Sequence, residues 1–191
     1  MANDVNKVLA GKPLATGGVL RGDDTAVAPT DAVSAPTGFT ALGYIGEEGL
    51  TETTDRSTSK IRAWGGDIVK VVQSEFSVTY SFTFYESINA DVLKAVYGDD
   101  NVASTAADTT HGNQHAIQVK SDQLPRGPWL FEVKDGDARI RIHVPVGQIT
   151  TVGEVTYSDE SVIGYPVTVE AFADSNGVQA YKYIDDGKLA A

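Results

Sequence analysis

A chain of 191 residues with 41% hydrophobic content can bury one domain core, and its lack of cysteine excludes a disulfide framework, Cys–zinc sites and cysteine nucleophiles. The formal net charge of −11 leaves no cluster of Lys and Arg for counterion release, which argues against tight binding of free nucleic acid. No apolar run reaches the roughly 18 residues of a membrane span, and the opening MANDVNKVLAGK has no apolar stretch of the kind a secretion signal needs.

Residues 1–37 are rich in Gly, Ala, Thr, Asp and Pro. They read as an N-terminal arm or long loop carrying one short strand near Val19, ordered by a neighbouring subunit or simply loose. Residues 39–45 (FTALGYI) form a strand candidate. Residues 46–64 are polar and Thr-rich, with Leu50 and Ile61 as isolated apolar points. Glu47, Glu48, Glu52 and Asp55 make the first part acidic; Arg56, Lys60 and Arg62 reverse the sign. Gly65 and Gly66 then break the chain, so two extended arms would return on each other as a protruding hairpin. Such sign separation suits docking on complementary charge, although solubility alone would also explain it.

Residues 67–86, DIVKVVQSEFSVTYSFTFYE, alternate with period two. Val72, Phe76, Val78, Tyr80, Phe82 and Phe84 share one side, with Ser74 as the weak member. Gln73, Glu75, Ser77, Thr79, Ser81 and Thr83 share the other. At about 3.3 Å per residue, sixteen such residues span roughly 50 Å, where ordinary strands run about 5–6 residues. A strand that outruns its own core needs another subunit to cover or extend it.

Residues 87–98 change to helical spacing. Ile88, Val92, Leu93 and Val96 fall near one face, Ser87 or Asn89 is placed to cap the start, and Gly98 to stop it. Residues 99–115 read as a polar excursion without a strand. Asp135, Gly136 and Asp137 sit between two apolar arms as a hairpin turn. In the second arm Ala138, Ile140, Ile142 and Val144 face together, with Arg139, Arg141 and His143 on a polar or interface side. Pro145 reads as an edge or strand end. Strand candidates at 147–158, 164–174 and 178–184 complete a mainly β, antiparallel sandwich or barrel-like fold with one short flanking helix. The expected body is 38–184, with a tail at 185–191.

Chemistry is sparsely signalled. His111 and His115 are four apart near Asp108, but the intervening Thr, Gly and Asn make a poor helix and no third ligand accompanies them. The Asp135–Gly136–Asp137 turn lacks the spaced oxygen ligands of a calcium loop. No GxSxG, HExxH or phosphate-binding glycine loop is present. No enzyme activity, catalytic residue, cofactor or metal is expected.

The blocks GYIGEEGLTETTDRSTSKIRAW (43–64), Gly65–Gly66–Asp67, VVQSEFSVTYSFTFYES (71–87) and VLKAVYG (92–98), in that order, resemble the tail tube, or major tail, proteins of long non-contractile-tailed bacteriophages (siphophages). The resemblance implies hexameric rings stacked into a hollow tube, a virion component assembled in the host bacterial cytoplasm without membrane insertion. It makes 46–66 the loop reaching between rings, with Glu47, Glu48, Leu50, Glu52, Asp55, Arg56, Lys60, Ile61 and Arg62 as its contact residues. The Gln73-to-Thr83 side becomes the lumen wall and the Val72-to-Phe84 side the protomer core. Implied partners are a tape-measure protein in the lumen, terminator and tip proteins at the ends, and DNA in non-specific passage. A tail terminator or decoration protein, or an unrelated secreted binding sandwich or enzyme, are the alternatives.

Overall fold

From Phe76 to Phe84 every second side chain is large and apolar and the intervening ones are Ser or Thr, a pattern that only extended backbone sorts onto two faces. The computed structural model, which describes residue 4, residues 7–14 and residues 17–189, places this stretch in β5 (Ile68–Phe84), 17 residues long. Before it come β1 (Lys12–Pro13), β2 (Val19–Gly22), β3 (Phe39–Ala41) and β4 (Thr51–Arg62); after it come α1 (Ala90–Tyr97), a 3-10 turn (Asp99–Asn101), β6 (Val102–Thr105), β7 (Gln114–Ile117), β8 (Gly127–Asp135), β9 (Ala138–Val152), β10 (Tyr165–Phe172) and β11 (Tyr181–Asp185). The first residues of the expected arm and the last two of the expected tail lie outside the described residues.

One antiparallel sheet runs in the order β3-β2-β8-β9-β10-β5-β4, with β1 joined to β8 and β11 to β9. It curls on itself. Tyr80 on β5 stacks on Phe131 of β8 with ring centroids 4.8 Å apart, although β9 and β10 lie between them in hydrogen-bonding order. Phe82 meets both Phe131 and Trp129. The aromatic side of β5 thus becomes the centre of a barrel-like core shared with Val144, Ile149, Val167 and Val169. The fold is mainly β and antiparallel with one helix, as the alternation led us to expect.

The helix packs Val92, Leu93 and Val96 into that same core. Asn89 caps it, its side-chain oxygen accepting from the Asp91 N–H, and Gly98 ends it by donating its N–H to the Lys94 carbonyl. Because the helix starts only after this cap, Ile88 lies outside it and is exposed rather than part of the apolar face. Gly43, at φ 75°, is tied to the same corner: the Glu86 carboxylate occupies the position a Cβ would take and accepts from the Tyr44 N–H and the Asn89 amide.

Four expectations change. Residues 19–22 are a sheet strand between β3 and β8, with Val19 opposite Phe131, and so belong to the body. The polar excursion after the helix holds a small second sheet, β6 on β7, whose pairs run from Val102 with Ile117 to Thr105 with Gln114, too short a stretch to show an alternation. Pro145 does not end a strand: β9 passes through it where the partner changes from β11, paired up to His143, to β10, paired from Val146, and where the register with β8 also slips. A missing N–H is tolerated at such a gap. The face of Arg139, Arg141 and His143 is not polar surface throughout, since Arg141 and His143 are buried. Arg141 Nε and Nη2 meet Glu132 Oε1 at 2.7 and 2.6 Å, and its Nη1 donates to the Asp31 carbonyl, so residues around Asp31 roof this side.

Candidate assembly surface

β4 follows β5 along its whole length, from Thr51 opposite Ser81 to Arg62 opposite Ile68. β10 follows β5 only from Phe84 to Val78. Beyond Ser77 the two strands therefore leave the body as a free ribbon, and the first nine residues of β5 are all exposed. Nine residues extend roughly 30 Å. The tip closes through the Ala63 N–H on the Asp67 carbonyl, at 2.8 Å, and the Arg62 guanidinium on the Gly66 carbonyl. Gly65 and Gly66 hold φ of 110° and 98°, a backbone region that side-chain-bearing residues seldom take.

The alternation of β5 does not survive to the tip. Ser57 pairs with Glu75 but Thr58 pairs with Gln73, which leaves Ser74 as the extra residue of a β-bulge. A one-residue slip exchanges the faces of everything beyond it. Gln73 and Val71 consequently join the side of Phe76, and Val72 joins the side of Glu75. Arg56 records the change: its guanidinium lies 4.7 Å over the Phe76 ring while Nη1 donates to Gln73 Oε1 at 2.8 Å. A second slip near the tip skips Val69 and sets Arg62 opposite Ile68.

Two corrections follow for the faces read from alternation. Val78, Tyr80, Phe82 and Phe84 are buried, but Val72 and Phe76 are exposed, because the core ends where β10 leaves β5. Gln73 does not share a side with Glu75, Ser77, Thr79, Ser81 and Thr83, because the bulge lies between them. The ribbon side continuous with the core carries Arg56, Lys60 and Arg62 with Phe76, Val71 and Ile68; the opposite side carries Asp55, Glu75 and Lys70 with Val72 and Ile61. Ile61, Ile68, Val69, Val71 and Trp64 are all exposed.

The residues grouped as one inter-ring loop divide in two. Glu47, Glu48 and Leu50 lie in the chain entering β4, where Leu50 packs on the core, and Glu52 pairs with Lys182 of β11 at 2.6 Å. Asp55 is opposite Ser77 at the ribbon's root, while Arg56, Lys60, Ile61 and Arg62 ride on the ribbon itself. The segment is a strand over 51–62, the first arm of the expected hairpin.

On the outer side of the sheet, hydroxyl residues line up across three strands: Thr51 with Ser81 and Thr168, and Thr53 with Thr79 beside Glu170. The Ser81 and Thr168 hydroxyls are 3.0 Å apart. Asp55, Glu75 and Glu170 put carboxylates on this face, with Lys70 further along the ribbon. The far edge of β4 pairs with nothing among the described residues.

The histidines are placed apart from any common centre. His111 contacts Asp108 at 3.3 Å, His115 lies against the Ser104 hydroxyl at 2.9 Å, and no metal-binding group of three occurs among the described residues. His143 is packed between Phe39 and Tyr181 rings; burial draws its pKa below the ordinary value, with Asp174 opposing. Sequence reasoning missed the bulge. Its one trace is Ser74, a polar residue in the apolar phase, followed backwards by two adjacent valines that suit either phase.

A ribbon exposed on both sides, rooted beside an unpaired edge strand, belongs to a structural subunit that completes itself by assembly. The chain belongs to the phage tail tube protein family, whose sequence pattern matches residues 1–191. It is a structural component of the virion tail that self-assembles into a tube, not an enzyme. No curated protein matches it. Among solved structures, the cryo-EM structure of the anti-feeding prophage cap (AFP tube terminating cap) superposes with a TM-score of 0.46 at 10% identity, covering 97% of this chain and 100% of that one. No helix is long and apolar enough to cross a membrane among the described residues.

Proposed function

We propose that this subunit forms hexameric rings that stack into the tube, with the β4–β5 ribbon as the axial contact and the outer face of β4, β5 and β10 as the lumen wall. The ribbon carries the reading: a two-stranded hairpin is at best marginally stable alone in water, yet here it projects with Phe76, Val71, Ile68, Ile61 and Val72 uncovered. A neighbouring copy removes that surface from water. The unpaired edge of β4 supplies a template for continuing the sheet into the next protomer, which a closed ring turns from a liability into a joint.

Glu75, Ser77, Thr79, Ser81 and Thr83 then face the bore, with Asp55 and Glu170 beside them. Hydroxyls keep such a wall wet, and carboxylates repel phosphate, so DNA passes without adhering. The same bore holds a tape-measure protein during assembly in the host cytoplasm, and terminator and tip proteins close the ends. Residues 19–185 make the ring body in this scheme, and the N-terminal residues before them and the tail after Asp185 add contacts between subunits.

Negative-stain microscopy of the purified protein tests the proposal. Long hollow tubes are expected, and removal of residues 57–73 is expected to leave folded protein that no longer stacks. Closed rings without extension would point to a capping role instead. Isolated particles at high concentration, or tubes of normal length from the ribbonless variant, would overturn the assignment.

A further inference from the structure

The cation-bearing side of the ribbon has a matching surface elsewhere on the molecule. Between β11, the β8–β9 hairpin and the chain entering β4 lies a groove of about 520 Å³ with Leu50, Val133, Ile140 and Ile184 in its walls. Glu47 and Glu52 line it as well, and Lys182 spans it to Glu52 at 2.6 Å. Ile184 is 69% exposed, so the groove has an apolar wall open to solvent. Glu132 at its floor is already satisfied by Arg141.

We infer that this groove receives the Arg56–Lys60–Arg62 side of the ribbon from a second copy of the chain. This rests on reading the ribbon as an axial contact and names the surface it contacts. Charge selects the occupant. Residues 56–76 carry four cations, Arg56, Lys60, Arg62 and Lys70, against Asp67 and Glu75; that is +2, leaving −13 for the remainder of a chain totalling −11. The ribbon is thus a basic element on an acidic molecule, and opposite potentials fix register as well as attraction. Its bulge brings Val71 onto the side that Arg56, Lys60 and Arg62 share with Phe76 and Ile68, an apolar row flanked by cations. The groove offers apolar walls with the Glu47 carboxylate beside them, on a remainder of the chain that is acidic overall. The two surfaces are different patches of one chain, so their union is head-to-tail and extends into an open stack rather than a closed dimer.

Because the chain has no cysteine, single cysteines report this contact without background. Val71→Cys and Ile184→Cys, made in separate full-length proteins, are mixed, allowed to assemble and mildly oxidised. The reference mixture pairs Val71→Cys with Val119→Cys, a more exposed position away from the groove. A disulfide requires Cα atoms within about 7 Å, so the Val71–Ile184 heterodimer is expected to exceed the reference by about tenfold. In parallel, Ile184→Asp should leave the unfolding midpoint of the monomer unchanged and cut the sedimenting fraction several-fold. Tubes that form with no excess of the Val71–Ile184 product, or that tolerate Ile184→Asp, overturn the groove while leaving the tube reading intact. Absence of tubes and of any cross-link overturns both.

Discussion

Arg141 and Glu132 are costly to disturb singly. Both are buried, and two guanidinium nitrogens share one carboxylate oxygen while the third reaches the Asp31 carbonyl. Arg141→Ala should destabilise the fold by about 3–5 kcal/mol by stranding a buried carboxylate, whereas Arg141→Met with Glu132→Leu should recover most of that loss; denaturant titration separates the two outcomes. Tyr80 presents the opposite case. Its hydroxyl is buried with no partner and burial raises its pKa, so Tyr80→Phe is expected to be neutral or stabilising by about 1 kcal/mol. His143 gives the fold a pH dependence. Burial lowers its folded pKa from 6.5, so the unfolded chain binds the proton first: stability is full above about 6.5 and falls as the pH drops toward the lower folded value. Thermal unfolding between pH 7 and 5 should show this slope, reduced in His143→Phe. Asp31 acts lower still. The Ser34 hydroxyl and the Ser34 and Val33 N–H groups hold its pKa at about 2, so its stabilising contribution is full above about 3.8 and is lost as the pH falls toward 2.

At the scale of the element, the ribbon owes its two faces to Ser74. Inserting one serine between Ser57 and Thr58 gives Ser74 a partner, removes the bulge and moves Thr58, Lys60 and Arg62 away from the side of Phe76. The expected result is an unchanged body by circular dichroism and loss of assembly by sedimentation. Deleting Ser74 also removes the bulge but keeps Gln73 opposite Thr58, so it should preserve assembly far better. A simple loss of twist would impair both variants equally. The pattern of residues 78–84 told its own face, because aromatic and hydroxyl residues alternate without a break. The pattern of residues 68–73 did not, because a run with Val69, Val71 and Val72 is apolar in either phase and the slip is set by pairing with β4. The helix was legible from its spacing and cap, and only Ile88 was misplaced, since periodicity does not say on which side of Asn89 the helix begins.

Across the whole molecule, the acidic excess and the basic ribbon are segregated rather than mixed. Glu75→Lys places a cation among the carboxylates of the outer face. It should change stability by no more than about 0.5 kcal/mol, as expected for an exposed site, while tubes built from it retain duplex DNA at low salt that the natural protein lets pass. Gel retardation against assembled tubes measures this directly. The sequence alone determined that the chain is mainly β, that one strand is too long for its own core, that a short helix follows it, and that the order of these blocks resembles a tail tube protein. These are local properties, written in period, turn residues and charge. Only the tertiary structure decided where the core stops along β5, that Arg141 and His143 are interior, that Pro145 falls at a change of partner, and which cations stand beside which apolar side chains on the ribbon. Each of those depends on which strand lies opposite, and a strand's partner is set by pairing between residues distant in the chain.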